Sequence, residues 1–254
     1  MFEFLFGWLL WVGLGASAVL VALGLPAWRR AVFVYKLEGQ IPQALRVISD
    51  ASAAGMDLKS AFEAVAALGL RPLAEVFRRV VSLSELGGLT VEEALWRVAG
   101  ELPSANLRRF ALIVTEAARS GARLPEVLDV AARSFATVVD FRRELWSQLR
   151  PYVALFYAVI VVFVALADVL VYVLLPELAK FAASQPAGPV GGVKTSAVPM
   201  EDALAVLFLT VLIQSAVGGA IVGRLSYFSP RAGLVHGGVA ALVSTIGLLV
   251  PLWL

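Results

Sequence analysis

Three stretches of the chain, GMDLKSAFEAV (55–65), GLTVEEALWRV (88–98) and GARLPEVLDVA (121–131), stand 33 residues apart and repeat one pattern. Gly55, Gly88 and Gly121 open the three copies. Leu58, Val91 and Leu124 follow, then Ala61, Ala94 and Val127, then Phe62, Leu95 and Leu128, then Val65, Val98 and Ala131. A weaker match precedes each glycine, in Ile48, Val81 and Val114. Apolar residues at this spacing line one face of a helix. Glycine commonly stands just past a helix end, because it accepts a left-handed backbone. The repeat therefore reads as helix, glycine stop, second helix. Each second helix also has a start signal. Asp57 can cap the first, Thr90 with Glu93 forms a capping box, and Pro125 suits a first helical turn. Leu73, Val76, Phe77 and Val80 make one more apolar stripe, and Leu107, Phe110, Ala111 and Val114 another.

The pattern predicts six helices, roughly 38–54, 57–68, 72–86, 90–101, 103–120 and 124–149, and no strand. The last can run on, since no glycine lies between Gly121 and Pro151. A period near 33 also raises a tetratricopeptide-like solenoid. That repeat's Trp, Gly and Tyr signature is missing, which favours a compact bundle of three hairpins.

Working outward, the flanks are of different composition. The chain is 60% hydrophobic and 16% charged, against about 25% charged in an ordinary soluble domain. Phe4–Trp28, Pro151–Leu175, Ala203–Gly223 and Ala232–Leu254 are nearly free of charge. Each approaches or exceeds the ~20 residues that cross a bilayer as a helix. The fold class expected is an all-α membrane protein with about four transmembrane helices and a helical insert. The segments are transmembrane helix 1 (1–28), a helical domain (29–150), transmembrane helix 2 (151–175), a loop (176–202), transmembrane helix 3 (203–223), a short loop (224–231) and transmembrane helix 4 (232–254).

Basic residues orient it. Nineteen of the 21 Lys and Arg lie in 29–150 or 224–231; Lys180 and Lys194 are the other two. Basic flanks stay cytoplasmic, which puts 29–150 and 224–231 inside, and 176–202 and both termini outside. The N-terminal run does not read as a signal peptide, having Glu3 and no basic residue before a long apolar stretch. The outer loop is rich in Pro, Gly, Ser and Ala, a composition of flexible segments.

The pieces around the glycines resemble the F-domain family of type II secretion and type IV pilus assembly platforms, including its Tad and archaeal pilus branch. They are Leu45 to Gly55 with Ala54-Gly55-Met56-Asp57-Leu58, then Gly87-Gly88-Leu89-Thr90-Val91-Glu92-Glu93-Ala94-Leu95, and Ser120-Gly121-Ala122-Arg123-Leu124-Pro125-Glu126-Val127-Leu128. The Arg142-Arg143 pair ahead of an apolar span also fits. The resemblance covers about 38–175. It implies a non-enzymatic platform in the cell membrane that seats pilin subunits and takes up motion from a hexameric cytoplasmic ATPase. Three departures favour the Tad or archaeal branch. Ala118 stands where many bacterial relatives carry Glu, the Gly121–Leu124 spacing is one longer, and one domain copy is present instead of two. The missing copy implies a homodimer or a second platform subunit. A component of a pilus-derived DNA-uptake machine would share the fold.

Chemistry is sparse. There is no Cys and one His, which excludes thiol catalysis and a Cys/His metal cluster. No Gly-Lys pair exists for a phosphate-binding loop, and no Gly-x-Ser-x-Gly elbow occurs. No cofactor or enzymatic activity is expected, and the net charge of +2 implies no direct nucleic-acid binding. Asp168 is the one acid deep in an apolar run, a functional candidate by its cost, with Thr210 or Thr245 at partner depth. His236 reads as interfacial and unpaired with Asp168. Gly219/Gly223 and Gly233/Gly237 are small-xxx-small pairs, serving either packing within the chain or a subunit interface. Arg78-Arg79 and Arg108-Arg109 are solvated faces or ATPase-docking pairs, and Arg142-Arg143 can meet anionic headgroups. A transporter would need polar groups near the midplane, for which only Gln214 and Asp168 stand available.

Overall fold

The computed structural model describes residues 2–121, 123–184 and 199–249. It is helical throughout, with no strand among the described residues. The helices are α1 (Phe2–Ala53), α2 (Leu58–Ala67), α3 (Leu73–Gly87), α4 (Val91–Glu101), α5 (Ala105–Ser120) and α6 (Leu124–Asp168). A π-helical segment (Val169–Leu174) follows, then α7 (Leu175–Ser184), α8 (Met200–Tyr227) and α9 (Pro230–Leu249). The chain divides into two compact units. The hairpin unit is Arg30–Gln148; the apolar unit is Met1–Arg29 with Leu149–Leu254.

In the hairpin unit the 33-residue repeat sets the helix starts. Leu58, Val91 and Leu124 are the first residues of α2, α4 and α6. Asp57 accepts the Ser60 N–H at 3.2 Å, and Thr90 and Glu93 close the capping box in both directions. Gly88 caps α3 with φ +66°, a left-handed conformation that costs most side chains ~1–2 kcal/mol. One hydrophobic cluster gathers residues from α1 through α6. Phe62, Phe77 and Phe110 are fully buried at its centre. Phe77 meets Phe62 edge-on with centroids 5.0 Å apart, and Phe110 at 5.8 Å. Each such pair adds ~0.5–1.5 kcal/mol to the burial of its rings. The third repeat departs in one place: Val127 is exposed where Ala61 and Ala94 are buried.

Four helices among the described residues are long and apolar enough to cross a membrane: Gly7–Ala53, Leu124–Phe181, Met200–Tyr227 and Pro230–Leu249. In the apolar unit they pack through glycines. A Cβ built on Gly219 would lie 2.3 Å from the Gly237 nitrogen, and one on Gly223 2.2 Å from the Gly233 nitrogen. A Cβ on Gly13 would meet Thr245, one on Gly24 would meet Val235, and one on Gly238 would meet Val21. Phe156 of α6 lies over Gly218, and Val164 over Gly247. Close backbone approach of this kind is how helices associate in lipid, where burying another side chain gains little.

Several boundaries differ from the sequence reading. No helix starts at 38; α1 runs from Phe2 to Ala53 and passes Pro26 and Pro42 without a break. α6 runs on unbroken past Pro151 to Asp168, the continuation that the absence of glycine after Gly121 allows. The segment expected as a loop from 176 begins as α7, and 185–198 lies outside the described residues. The turn expected over 224–231 is only Phe228 and Ser229. Phe228 adopts a left-handed cap (φ 55°) and its carbonyl accepts from Arg224 at 2.9 Å, while Pro230 opens α9. Proline suits a first helical position because its missing N–H is not needed there. Residues 250–254 of the fourth apolar run lie outside the described residues.

Candidate functional site

A buried acid stands in the hairpin unit: Glu38 of α1, only 5% exposed. Ser104 Oγ donates to its Oε1 at 2.7 Å, and Asn106 Nδ2 to its Oε2 at 2.8 Å. The Arg142 guanidinium of α6 pairs with the same Oε2. Ser104 also caps α5, accepting the Leu107 N–H at 3.0 Å. One carboxylate thus ties α1 to the start of α5 and the middle of α6. Burial raises the Glu38 pKa, but the hydrogen bonds from Ser104, Arg142 and Asn106 outweigh it and hold the carboxyl below its usual range. A buried charge persists only with partners of this kind, each hydrogen bond to a charged group contributing ~1.5–3 kcal/mol.

Sequence reading missed Glu38. The signal was present: Glu38 stands among Leu37, Ile41, Leu45 and Ile48, all fully buried. An acid inside an apolar stripe needs a partner, and the hydroxyl, amide and guanidinium that supply it lie 66 to 104 residues away.

The predicted residues fall as follows. Arg79 meets Glu101, and Arg108 donates to the Leu102 carbonyl at 3.3 Å. One member of each basic pair therefore converges on the end of α4, where cations are favoured by unpaired carbonyls. Arg78 donates back to Ala74, and Arg109 is exposed. Gly55, Gly88 and Gly121 all have positive φ. Gly219 and Gly223 are seated against Gly237 and Gly233 of the same chain.

Asp168 ends α6 where the π-helical segment starts. Neither expected threonine partners it. Thr210 donates to Val206 O at 2.7 Å and Thr245 to Ala241 O at 2.8 Å, because a hydroxyl in an apolar helix finds the carbonyl four residues back within reach. Asp168 Oδ1 is buried with no hydrogen-bond partner among the described residues. A single π turn inside an α-helix is a frequent mark of a functional position. His236 shares a hydrogen bond with Tyr157 through Nδ1 at 2.8 Å and stacks on Tyr227, whose hydroxyl accepts from Trp28 at 3.3 Å.

A family model for the type II secretion system (T2SS) protein F matches residues 44–172, just over half of the chain. The chain belongs to this family. The match spans most of the three-hairpin repeat and continues through the apolar part of α6 to the π segment. An uncharacterized protein of Methanocaldococcus jannaschii is 30% identical over 111 residues, which is 44% of this chain and 37% of that protein. The chain thus matches little more than a third of the length of that relative. No solved structure matches the chain. Family membership together with the apolar helices makes this a multi-pass membrane protein of the secretion-platform type.

Proposed function

We propose that the chain is a non-enzymatic membrane platform of a type IV pilus-like assembly or secretion machine. It takes up motion from a hexameric cytoplasmic ATPase and passes it to pilin subunits. The observation that carries this reading is the family match across both the hairpin repeat and the run of α6 into an apolar stretch. The hairpin unit is then cytoplasmic and meets the ATPase, with Arg78, Arg79, Arg108 and Arg109 as the docking surface. Asp168 faces pilin. A second copy of the chain, or a second platform subunit, completes the assembly.

Affinity purification in mild detergent tests the reading. An ATPase and small pilin-like proteins should co-purify, and recovery of neither would sink it. Charge reversal at Arg78 and Arg79 should remove the ATPase from the eluate. Asp168→Asn should lower pilus assembly while the protein still accumulates; normal assembly removes Asp168 from the mechanism. Because the sequence has no Cys, single cysteines report sidedness. Ser196→Cys should react with an impermeant maleimide on intact cells, and Arg97→Cys only after lysis. The opposite pattern would invert the topology.

A further inference from the structure

A cleft on the hairpin unit has no part in the reading above. It is an open cleft of about 410 Å³, lined by Tyr35, Lys36 and Gly39 of α1, Arg71 ahead of α3, and Arg142 and Arg143 of α6. Four of its lining residues are cations and none is an acid. The cations are positioned. Buried Glu38 pairs with Arg142. Gln40 donates to the Arg71 carbonyl at 2.7 Å and accepts the Leu73 N–H at 3.1 Å, which pins the turn that carries Arg71. Arg71 and Arg143 also approach Glu75 (3.7 Å) and Asp140 (3.5 Å) on their own exposed surfaces. Exposed pairs of this kind are weak enough to yield to a better ligand.

Gly39 is the second observation. It lies in the interior of α1, where glycine is a poorer helix former than alanine. A Cβ added there would meet nothing within 4 Å. No protein atom requires glycine at this position. What glycine does there is leave part of the cleft lining without a side chain, so that a bound group can approach α1 closely beside the cations.

We infer that this cleft binds a phosphate-bearing anion over Gly39. Guanidinium forks match pairs of phosphate oxygens, and the Lys36 ammonium adds a point charge. The phosphate can be the headgroup of an anionic lipid or a soluble phosphate compound, and the two are distinguished by experiment.

The full chain in maltoside detergent is titrated by calorimetry with two probes, pyrophosphate and dihexanoyl phosphatidylglycerol. At least one should bind saturably at one site per chain. Saturation by the lipid alone assigns a headgroup; saturation by pyrophosphate assigns the phosphate itself. Arg71→Gln and Lys36→Gln should each weaken binding about tenfold or more, the loss of one charged hydrogen bond. Gly39→Leu should abolish binding while leaving the melting temperature without anion unchanged or higher. A double Arg108→Gln, Arg109→Gln variant, altered at a basic pair outside the cleft, should bind as the parent does. Saturable binding of neither probe overturns the inference. So does binding that survives Gly39→Leu, or binding lost equally in the Arg108/Arg109 variant.

Discussion

The two units are assembled by opposite devices. In the hairpin unit the contacts are large side chains: Phe62, Phe77, Phe110, Leu95 and Leu128 are fully buried. In the apolar unit the closest contacts are made where side chains are missing, at Gly219, Gly223, Gly233 and Gly237. There many large residues point outward, Trp11 at 73% exposed and Ile213 at 65%, and a smaller set that includes Phe208, Val211 and Leu248 is buried. The solvent accounts for the difference. Water rewards each apolar area withdrawn from it, at about 25 cal/mol per Å². Lipid tails are as apolar as leucine, so helices gain instead by bringing backbones into dispersion contact.

Four substitutions test this contrast. The largest effect should come from Phe77→Ala, which removes both edge-on ring contacts and leaves a cavity; it should cost the hairpin unit about 3–5 kcal/mol. Denaturant unfolding of the full chain, followed by proteolysis within Arg30–Gln148, would show it, and a loss under about 1 kcal/mol would break the comparison. Glu38→Gln should cost about 1.5–3 kcal/mol by discharging the group that Arg142 and Ser104 hold. It should also change the pH profile. Folded Glu38 binds a proton less readily than the unfolded chain does, so its contribution is complete above about pH 4.3 and is lost as pH falls through the lower folded value. A melting series from pH 7 to 3 should therefore be flatter for the variant.

Gly223→Ala should cost about 1–3 kcal/mol, since its methyl would meet backbone that no rotamer change can move aside. Loss of a disulfide between cysteines engineered into α8 and α9 would report the separation. Gly88→Asn should cost the least, about 1 kcal/mol or below, because its surroundings are open and asparagine tolerates the left-handed backbone. If Gly88→Asn proved more damaging than Gly223→Ala, the glycines of the two units would not be serving different ends.

The hairpin unit was the legible part. Its repeat carries start signals, stops and stripes within a few residues of one another, and all are local. Charge at Arg29-Arg30 reads as the end of a span, yet nothing there breaks a helix, so α1 continues to Ala53. The π segment, Val169–Leu174, has the composition of any apolar helix. Its shifted hydrogen bonds are a property of three-dimensional context. The Glu38 site was illegible for a related reason. Its four members come from three distant helices, and only the misplaced acid at position 38 leaves a local trace. The cleft beside it is still less visible, since Lys36, Arg71, Arg142 and Arg143 follow no common spacing.

The seam between α8 and α9 has a genetic consequence. Every missense change in a glycine codon adds at least one carbon atom, and here that atom would land 2.0–2.8 Å from the facing backbone at each of the four positions. These four codons therefore have no conservative neighbour. A core leucine can drift to methionine or isoleucine and be repacked, but drift at the seam has to be matched by moving a whole helix. Random mutagenesis with selection for assembly should leave these codons the least diversified of the apolar unit, silent changes apart.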